Sequence, residues 1–76
     1  MQRFVKLTPK SLKAKNRVHE AGNPARWVLV ERRYSVAFSD RPGPWLYVRP
    51  DVPGQDMFHA RWVSVTNDPH FDVEEL

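Results

Sequence analysis

Trp27-Val28-Leu29-Val30-Glu31-Arg32-Arg33-Tyr34-Ser35-Val36-Ala37-Phe38, then Asp40-Arg41-Pro42-Gly43-Pro44, then Trp45-Leu46-Tyr47-Val48-Arg49, is the stretch that decides the fold. Trp27 through Val30 is apolar on both faces, as in a strand covered on two sides. The even positions continue through Tyr34, Val36 and Phe38, opposite Arg33, Ser35 and Ala37, a period of two that reads as β. Glu31-Arg32-Arg33 is either a bend in one long strand or the tip of a hairpin. Residues 40–44 form a turn because two prolines fix φ around a permissive glycine. Trp45 to Arg49 is then the next strand.

Outward from this centre the same grammar repeats toward the C-terminus. Pro50 to Asp56 is a loop holding Pro53-Gly54, and Arg61-Trp62-Val63-Ser64-Val65 is a strand. Thr66-Asn67-Asp68-Pro69 makes a tight turn before a last short strand at Phe71-Asp72-Val73-Glu74. Four or five short strands separated by Pro/Gly turns imply an α+β, mostly β, chain: a small bent antiparallel sheet, closing as an SH3-like barrel. A single short turn over 67–70 before the terminal strand fits that layout.

Toward the N-terminus the signal changes. Thr8 is a good N-cap, Pro9 suits the first helical position, and Gly22 suits the left-handed residue past the end. Together they frame one N-terminal helix over 9–21. Ala14, Val18 and Ala21 share a side of it while Leu12 points away. Lys10, Lys13 and Arg17 follow the three-and-four spacing of a single face. A period-two reading also fits, with Leu12, Ala14 and Val18 opposite Lys13, Lys15 and Arg17. The caps favour the helix.

The chain has 76 residues, which allows a single domain, 1–76. So short a chain buries only about 60% of the surface it exposes when unfolded, so its core is thin. It has no cysteine, which excludes disulfides and Cys-based zinc sites. The expected core is therefore aromatic: Trp27, Trp45, Trp62, Phe4, Phe38, Phe58, Phe71, Tyr34 and Tyr47. Few large residues remain to line a ligand pocket. No run approaches the roughly 18 apolar residues of a membrane helix, and residues 1–7 lack the apolar stretch of a signal peptide. A reducing cytoplasm is the expected compartment, with no membrane partner.

Charge is split along the chain. Residues 1–33 carry nine Lys/Arg against two acids, a net of +7, and residues 34–76 carry three against seven, a net of −4, which together give the chain's +3. Such polarity favours a charged partner, nucleic acid or protein, or is solved internally by folding the acidic end against the basic one.

Catalytic and metal chemistry find little footing. His19, His59 and His70 match no zinc spacing. Ser11, Ser35, Ser39 and Ser64 sit in no nucleophile elbow, and no glycine-rich phosphate loop exists. Asp72, Glu74 and Glu75 read as solvated charges rather than an acid–base pair. The expectation is a non-enzymatic binding protein without cofactor or metal. Arg26-Trp27, Arg32-Arg33-Tyr34 and Arg61-Trp62 interleave cations with rings, as single-strand binders do. The competing reading places each Trp in the core and each Arg in solvent, because adjacent strand residues face opposite ways. That reading is favoured for Trp27 and Trp62, whereas Trp45 and Tyr47, just after the Pro-Gly-Pro turn, are expected to be partly exposed. The helix cations either hold phosphates or form a solvated face.

Leu-Thr-Pro-Lys (7–10), Lys-Asn-Arg-Val-His-Glu-Ala-Gly (15–22), Trp-Val-Leu-Val-Glu (27–31), Pro-Gly-Pro-Trp-Leu (42–46), Arg-Trp-Val (61–63) and Asp-Pro-His-Phe (68–71), in this order, resemble small proteins encoded by tailed bacteriophages. Among such proteins are regulators that bind host RNA polymerase, block initiation and promote antitermination. The resemblance implies that role here, in the host cytoplasm, but assigns no residue. From the residues themselves, the expected partner contacts are Lys10, Lys13, Arg17, Arg32, Arg33, Trp45 and Tyr47. A nucleic-acid-binding barrel using the same cations, with Trp45 and Tyr47 for stacking, is the alternative.

Overall fold

Alternation of Val5 and Leu7 with Phe4, Lys6 and Thr8 makes the first element a strand. In the computed structural model, which describes residues 2–40, 43–54, 59–66 and 68–76, β1 (Arg3–Pro9) precedes α1 (Leu12–Glu20), and β2 (Trp27–Arg33), β3 (Trp45–Pro50), β4 (Arg61–Ser64) and β5 (Phe71–Glu75) follow. The strands form one antiparallel sheet in the order β4-β3-β2-β1-β5. It curls into a half-barrel whose edge strands β4 and β5 approach without pairing. This is the mostly-β, SH3-like arrangement with one helix that the turn spacing predicts.

The helix is shorter than 9–21, and its cap differs. Pro9 pairs with Phe71 at the end of β1, and the Lys10 N–H donates to the His70 carbonyl at 2.8 Å. The chain therefore remains β until Lys10, and Ser11, not Thr8, is the cap: its Oγ accepts the Ala14 N–H at 3.1 Å. The C-terminal end is as expected. Gly22 takes φ 88°, and the Gly22 and Asn23 N–H groups return to the carbonyls of His19 and Val18, a Schellman closure. Ala14 and Ala21 are buried with Val18 beside them, so this side of α1 covers the inner face of the sheet.

A register shift between Leu29 and Glu31 places a bulge at Val30. Leu29 lies opposite Val48 on the inner face, while beyond the bulge Glu31 lies opposite Tyr47 and Arg33 opposite Trp45. Strand side chains alternate faces, so one extra residue moves Arg33 from the inner face to the outer one. Glu31-Arg32-Arg33 is thus the continuation of a bulged strand. Tyr34, Val36 and Phe38 are not strand residues as expected; they lie in the connection to β3, which folds back through an isolated Val36–Ser39 bridge.

The core is more aliphatic than the aromatic inventory predicts. It consists of Val5, Leu7, Ala14, Ala21, Trp27, Leu46, Val48, Val63 and Phe71. Of the rings expected there, Trp27, Trp45 and Phe71 are buried, Phe4, Tyr47 and Trp62 are half-buried, and Tyr34 and Phe38 are 80% and 65% exposed. Arg41, Pro42, Asp56, Phe58 and Asn67, which the expected turns, loop and core include, lie outside the described residues.

The turn before β5 is organised by Asp68. Its carboxylate is buried and accepts three backbone N–H groups: Ser64 at 3.2 Å, His70 at 2.9 Å and Phe71 at 3.1 Å. It ties the end of β4 to the start of β5. Ser11 completes the corner, its Oγ 3.0 Å from His70 Nδ1.

Candidate functional site

Inward-facing Leu46, Val48 and Val63 force their strand neighbours onto the outer face. Tyr47 of β3 and Trp62 of β4 are directly paired there, with ring centroids 5.1 Å apart and planes tilted by 43°. The Arg33 guanidinium lies 5.6 Å from the Trp62 ring centroid and also donates to the Glu31 carboxylate at 3.1 Å. An aromatic pair flanked by a cation is therefore laid out on the face remote from α1. Exposed Tyr34 and Phe38 rise beside it from the β2–β3 connection.

Two expectations about these rings are corrected. Trp45 is only 4% exposed, because Phe38 folds edge-on against it with centroids 5.6 Å apart and an interplanar angle of 72°. Gly43 permits that fold: a Cβ there would run into the backbone of Tyr34. Trp62 is not a core residue, because Val63 occupies the inward position and the alternation of the strand turns Trp62 outward. The rule placing tryptophan inside and arginine outside holds for Arg26-Trp27 and is inverted at Arg61-Trp62. Tyr47 is half-buried, as expected.

Arg61 enters the seam between the unpaired edges β4 and β5. Its guanidinium stacks 4.9 Å above the ring of buried Phe71. Its Nε is buried and has no hydrogen-bond partner among the described residues. Burial, and secondarily the nearby Arg17 guanidinium, lower its pKa below the usual guanidinium value, with Asp68 opposing them. A recess of about 110 Å³ lined by Arg17, Glu20, Trp27, His59 and Arg61 opens on one side of it. Arg61 also lines a second cleft, of about 350 Å³, with Phe38, Trp62, Asp68, Pro69 and His70.

The expected contact residues divide among four places. Arg33, Tyr47 and Trp45 share the outer face, where Arg33 lies opposite Trp45 in the strand register and Phe38 covers Trp45. Lys13 and Arg17 lie one turn apart on α1, which covers the inner face. Lys10 precedes the helix and pairs with Asp72 at 3.6 Å. Arg32 pairs with Glu75 beside an open groove of about 610 Å³ that Arg3, Phe4 and Arg26 also line. Arg26 caps the Phe4 ring at 3.6 Å and pairs with Asp51 at 2.8 Å. The Lys10 and Arg32 pairs, and the register setting Lys6 opposite Glu74, show that the basic and acidic halves partly neutralise one another across β1, β2 and β5. Lys13, Lys15 and Arg17 have no such acidic partner among the described residues.

Trp62 and Arg61 are the contributors that the expected set of contacts lacks. The purely aliphatic alternation Leu46, Val48 and Val63 carries the signal that would have found them. Among the described residues no group of three or more His, Asp or Glu side chains is placed to hold a metal, and no helix is long and apolar enough to cross a membrane. The chain matches no protein-family model, no curated protein and no solved structure.

Proposed function

We propose that the protein is a non-enzymatic binding module that regulates transcription by docking on bacterial RNA polymerase. The observation that carries the docking surface is the outer-face cluster of Arg33, Tyr47 and Trp62 beside exposed Tyr34 and Phe38. Aromatic rings and arginines are the residue types that dominate binding energy at protein interfaces. Phe38 and Tyr47 contribute some packing, but rings grouped on one face with much of their surface in water, beside an arginine, are what a partner-binding patch contains. The choice of polymerase is supported by the resemblance of the segments at 7–10, 15–22, 27–31, 42–46, 61–63 and 68–71 to phage-encoded proteins.

The test is affinity capture by the tagged protein from a nuclease-treated bacterial lysate, followed by mass spectrometry. Polymerase subunits are expected on the intact protein and depleted on a Tyr47→Ala/Trp62→Ala double variant. Capture of no polymerase subunit overturns the reading.

A second reading, a nucleic-acid-binding barrel, is favoured by one observation: Lys13, Lys15 and Arg17 extend along α1 without acidic partners among the described residues. Its signature is affinity that falls steeply as salt rises.

A further inference from the structure

In a closed barrel the strands at a seam satisfy one another through backbone hydrogen bonds. Here β4 and β5 are the two edges of the sheet, and a side chain fills the space between them. Arg61 reaches this seam because it shares the inward parity of Val63 and pairs with Val48. Its stem and guanidinium cover Phe71, which is 1% exposed. Arg61 is half-buried with its Nε buried, and an arginine drawn this far out of water is ordinarily matched by a carboxylate. Asp68 is the nearby acid, yet its oxygens accept the N–H groups of Ser64, His70 and Phe71, and no Arg61–Asp68 ion pair forms. A second cation, Arg17, faces Arg61 from α1.

Two guanidiniums line this small recess, together with the single carboxylate of Glu20, and Arg61 Nε is left without a partner among the described residues; an oxyanion between the two cations offsets their repulsion and meets that donor. The recess, about 110 Å³, admits a group the size of a phosphate and is too small for a drug-like ligand. Arg61 also lines the 350 Å³ cleft, whose walls include half-buried Trp62, exposed Phe38 and Asp68. A phosphate site and a ring-lined slot that share one arginine match the repeat of a nucleotide, an anion next to a flat base. Bases stacked within a duplex have covered faces and cannot enter such a slot, whereas unpaired bases can.

We propose that the β4–β5 seam binds single-stranded nucleic acid, with a backbone phosphate held between Arg17 and Arg61 and a neighbouring base stacked in the cleft beside Phe38 and Trp62. This deepens the nucleic-acid reading at a site that reaches beyond the helix surface and shares Phe38 and Trp62 with the docking face; because oligonucleotide binding is measured without polymerase, its outcome is separate from that of polymerase capture.

The experiment uses the full chain and a fluorescein-labelled oligothymidylate of about 12 nucleotides, within the range one small barrel covers. Binding at low salt is expected, with log affinity falling against log salt by about 0.7 per phosphate contacted. Arg17→Ala, on the exposed side of α1 and harmless to the core, is expected to weaken binding about tenfold and to lower that slope by about 0.7. Lys15→Ala, with the same charge change elsewhere on the helix, is expected to weaken it by less than about twofold. The Arg61 Nε–H resonance of the intact protein is expected to move on adding the oligonucleotide, which reports the seam without any variant. Absence of binding at low salt, equal effects of Arg17→Ala and Lys15→Ala, or an unmoved Arg61 resonance overturns the proposal. So does stronger competition by a duplex of the same length or by a phosphoserine peptide.

Discussion

The two faces of β2, β3 and β4 are built from the same strands and do opposite things. Inward, Leu46, Val48 and Val63 are fully buried aliphatic residues that pack with Trp27 and Phe71 beneath α1. Outward, Tyr47 and Trp62 pair with each other under Arg33 and keep part of their surface in water. Aliphatic side chains gain only by removal from water, so they are placed where burial is complete. The larger rings, which tolerate one wet side and attract cations, are placed where a partner can reach them. In this protein, large hydrophobic volume is therefore not a guide to the core.

The sharpest break of that contrast is a truncation on each side. Leu46→Ala leaves a cavity in a region with no spare packing and is expected to cost about 2–5 kcal/mol. A chain of this length has a total stability of about 4–11 kcal/mol, so this variant approaches the unfolding threshold. Tyr47→Ala, one residue along, is expected to cost about 1 kcal/mol, the scale of an aromatic pair, and to act mainly on partner capture. Urea denaturation of both variants decides it. Equal losses of stability would show that the outer rings are structural and leave the docking surface without support.

Asp68→Ala comes next, with an expected cost of about 3 kcal/mol. It withdraws the acceptor from three backbone N–H groups at once, and each buried donor left unmet costs about 1–3 kcal/mol unless water reaches it. The same change removes the carboxylate that favours the charged form of Arg61 in the seam. A loss below about 1 kcal/mol would show that the turn relaxes freely and does not tie β4 to β5.

How much of this was readable in the chain depends on whether neighbours or distant partners decide each element. Trp27–Val30, Trp45–Arg49 and Arg61–Ser64 declare themselves through local alternation and Pro/Gly turns, and Gly22 declares the helix end. β1 is less plain: Val5 and Leu7 alternate with Phe4, Lys6 and Thr8, but the segment runs into a Thr-Pro pair that reads locally as a helix start, and pairing with β2 on one side and β5 on the other settles it as a strand. That pairing also moves Pro9 from the helix to the sheet and the cap from Thr8 to Ser11. The placement of Arg33 rests on a bulge at Val30, which no composition rule announces. Trp45 is covered by a loop residue, Phe38, whose fold-back depends on Gly43 lying against Tyr34. The seam was hidden for the same reason: Arg61 is unusual only once β4 and β5 are known to be edges.

Ser11→Ala tests the corrected helix start and is expected to cost about 1 kcal/mol, the usual loss for an N-cap. Thr8→Ala, at the cap expected from local signals, is expected to change stability by less than about 0.5 kcal/mol, because its side chain is exposed on β1. Thermal unfolding followed by circular dichroism separates the two. A larger loss at Thr8 than at Ser11 would return the helix start to the position implied by Thr8 and Pro9.

The smallest effect belongs to the charge pairing between the halves of the chain. Lys10 and Asp72 are 3.6 Å apart, with side chains 40% and 70% exposed, so water and salt screen most of their attraction. Lys10→Ala is expected to change stability by less than about 0.5 kcal/mol and to leave polymerase capture intact. The comparison with Arg33 makes this informative. Both are cations of the basic half with an acid partner, Asp72 for Lys10 and Glu31 for Arg33, but Arg33 also lies against the Trp62 ring on the outer face. If Lys10→Ala reduced capture as much as Arg33→Ala, charge along the whole basic half, rather than the outer-face cluster, would be what the partner recognises.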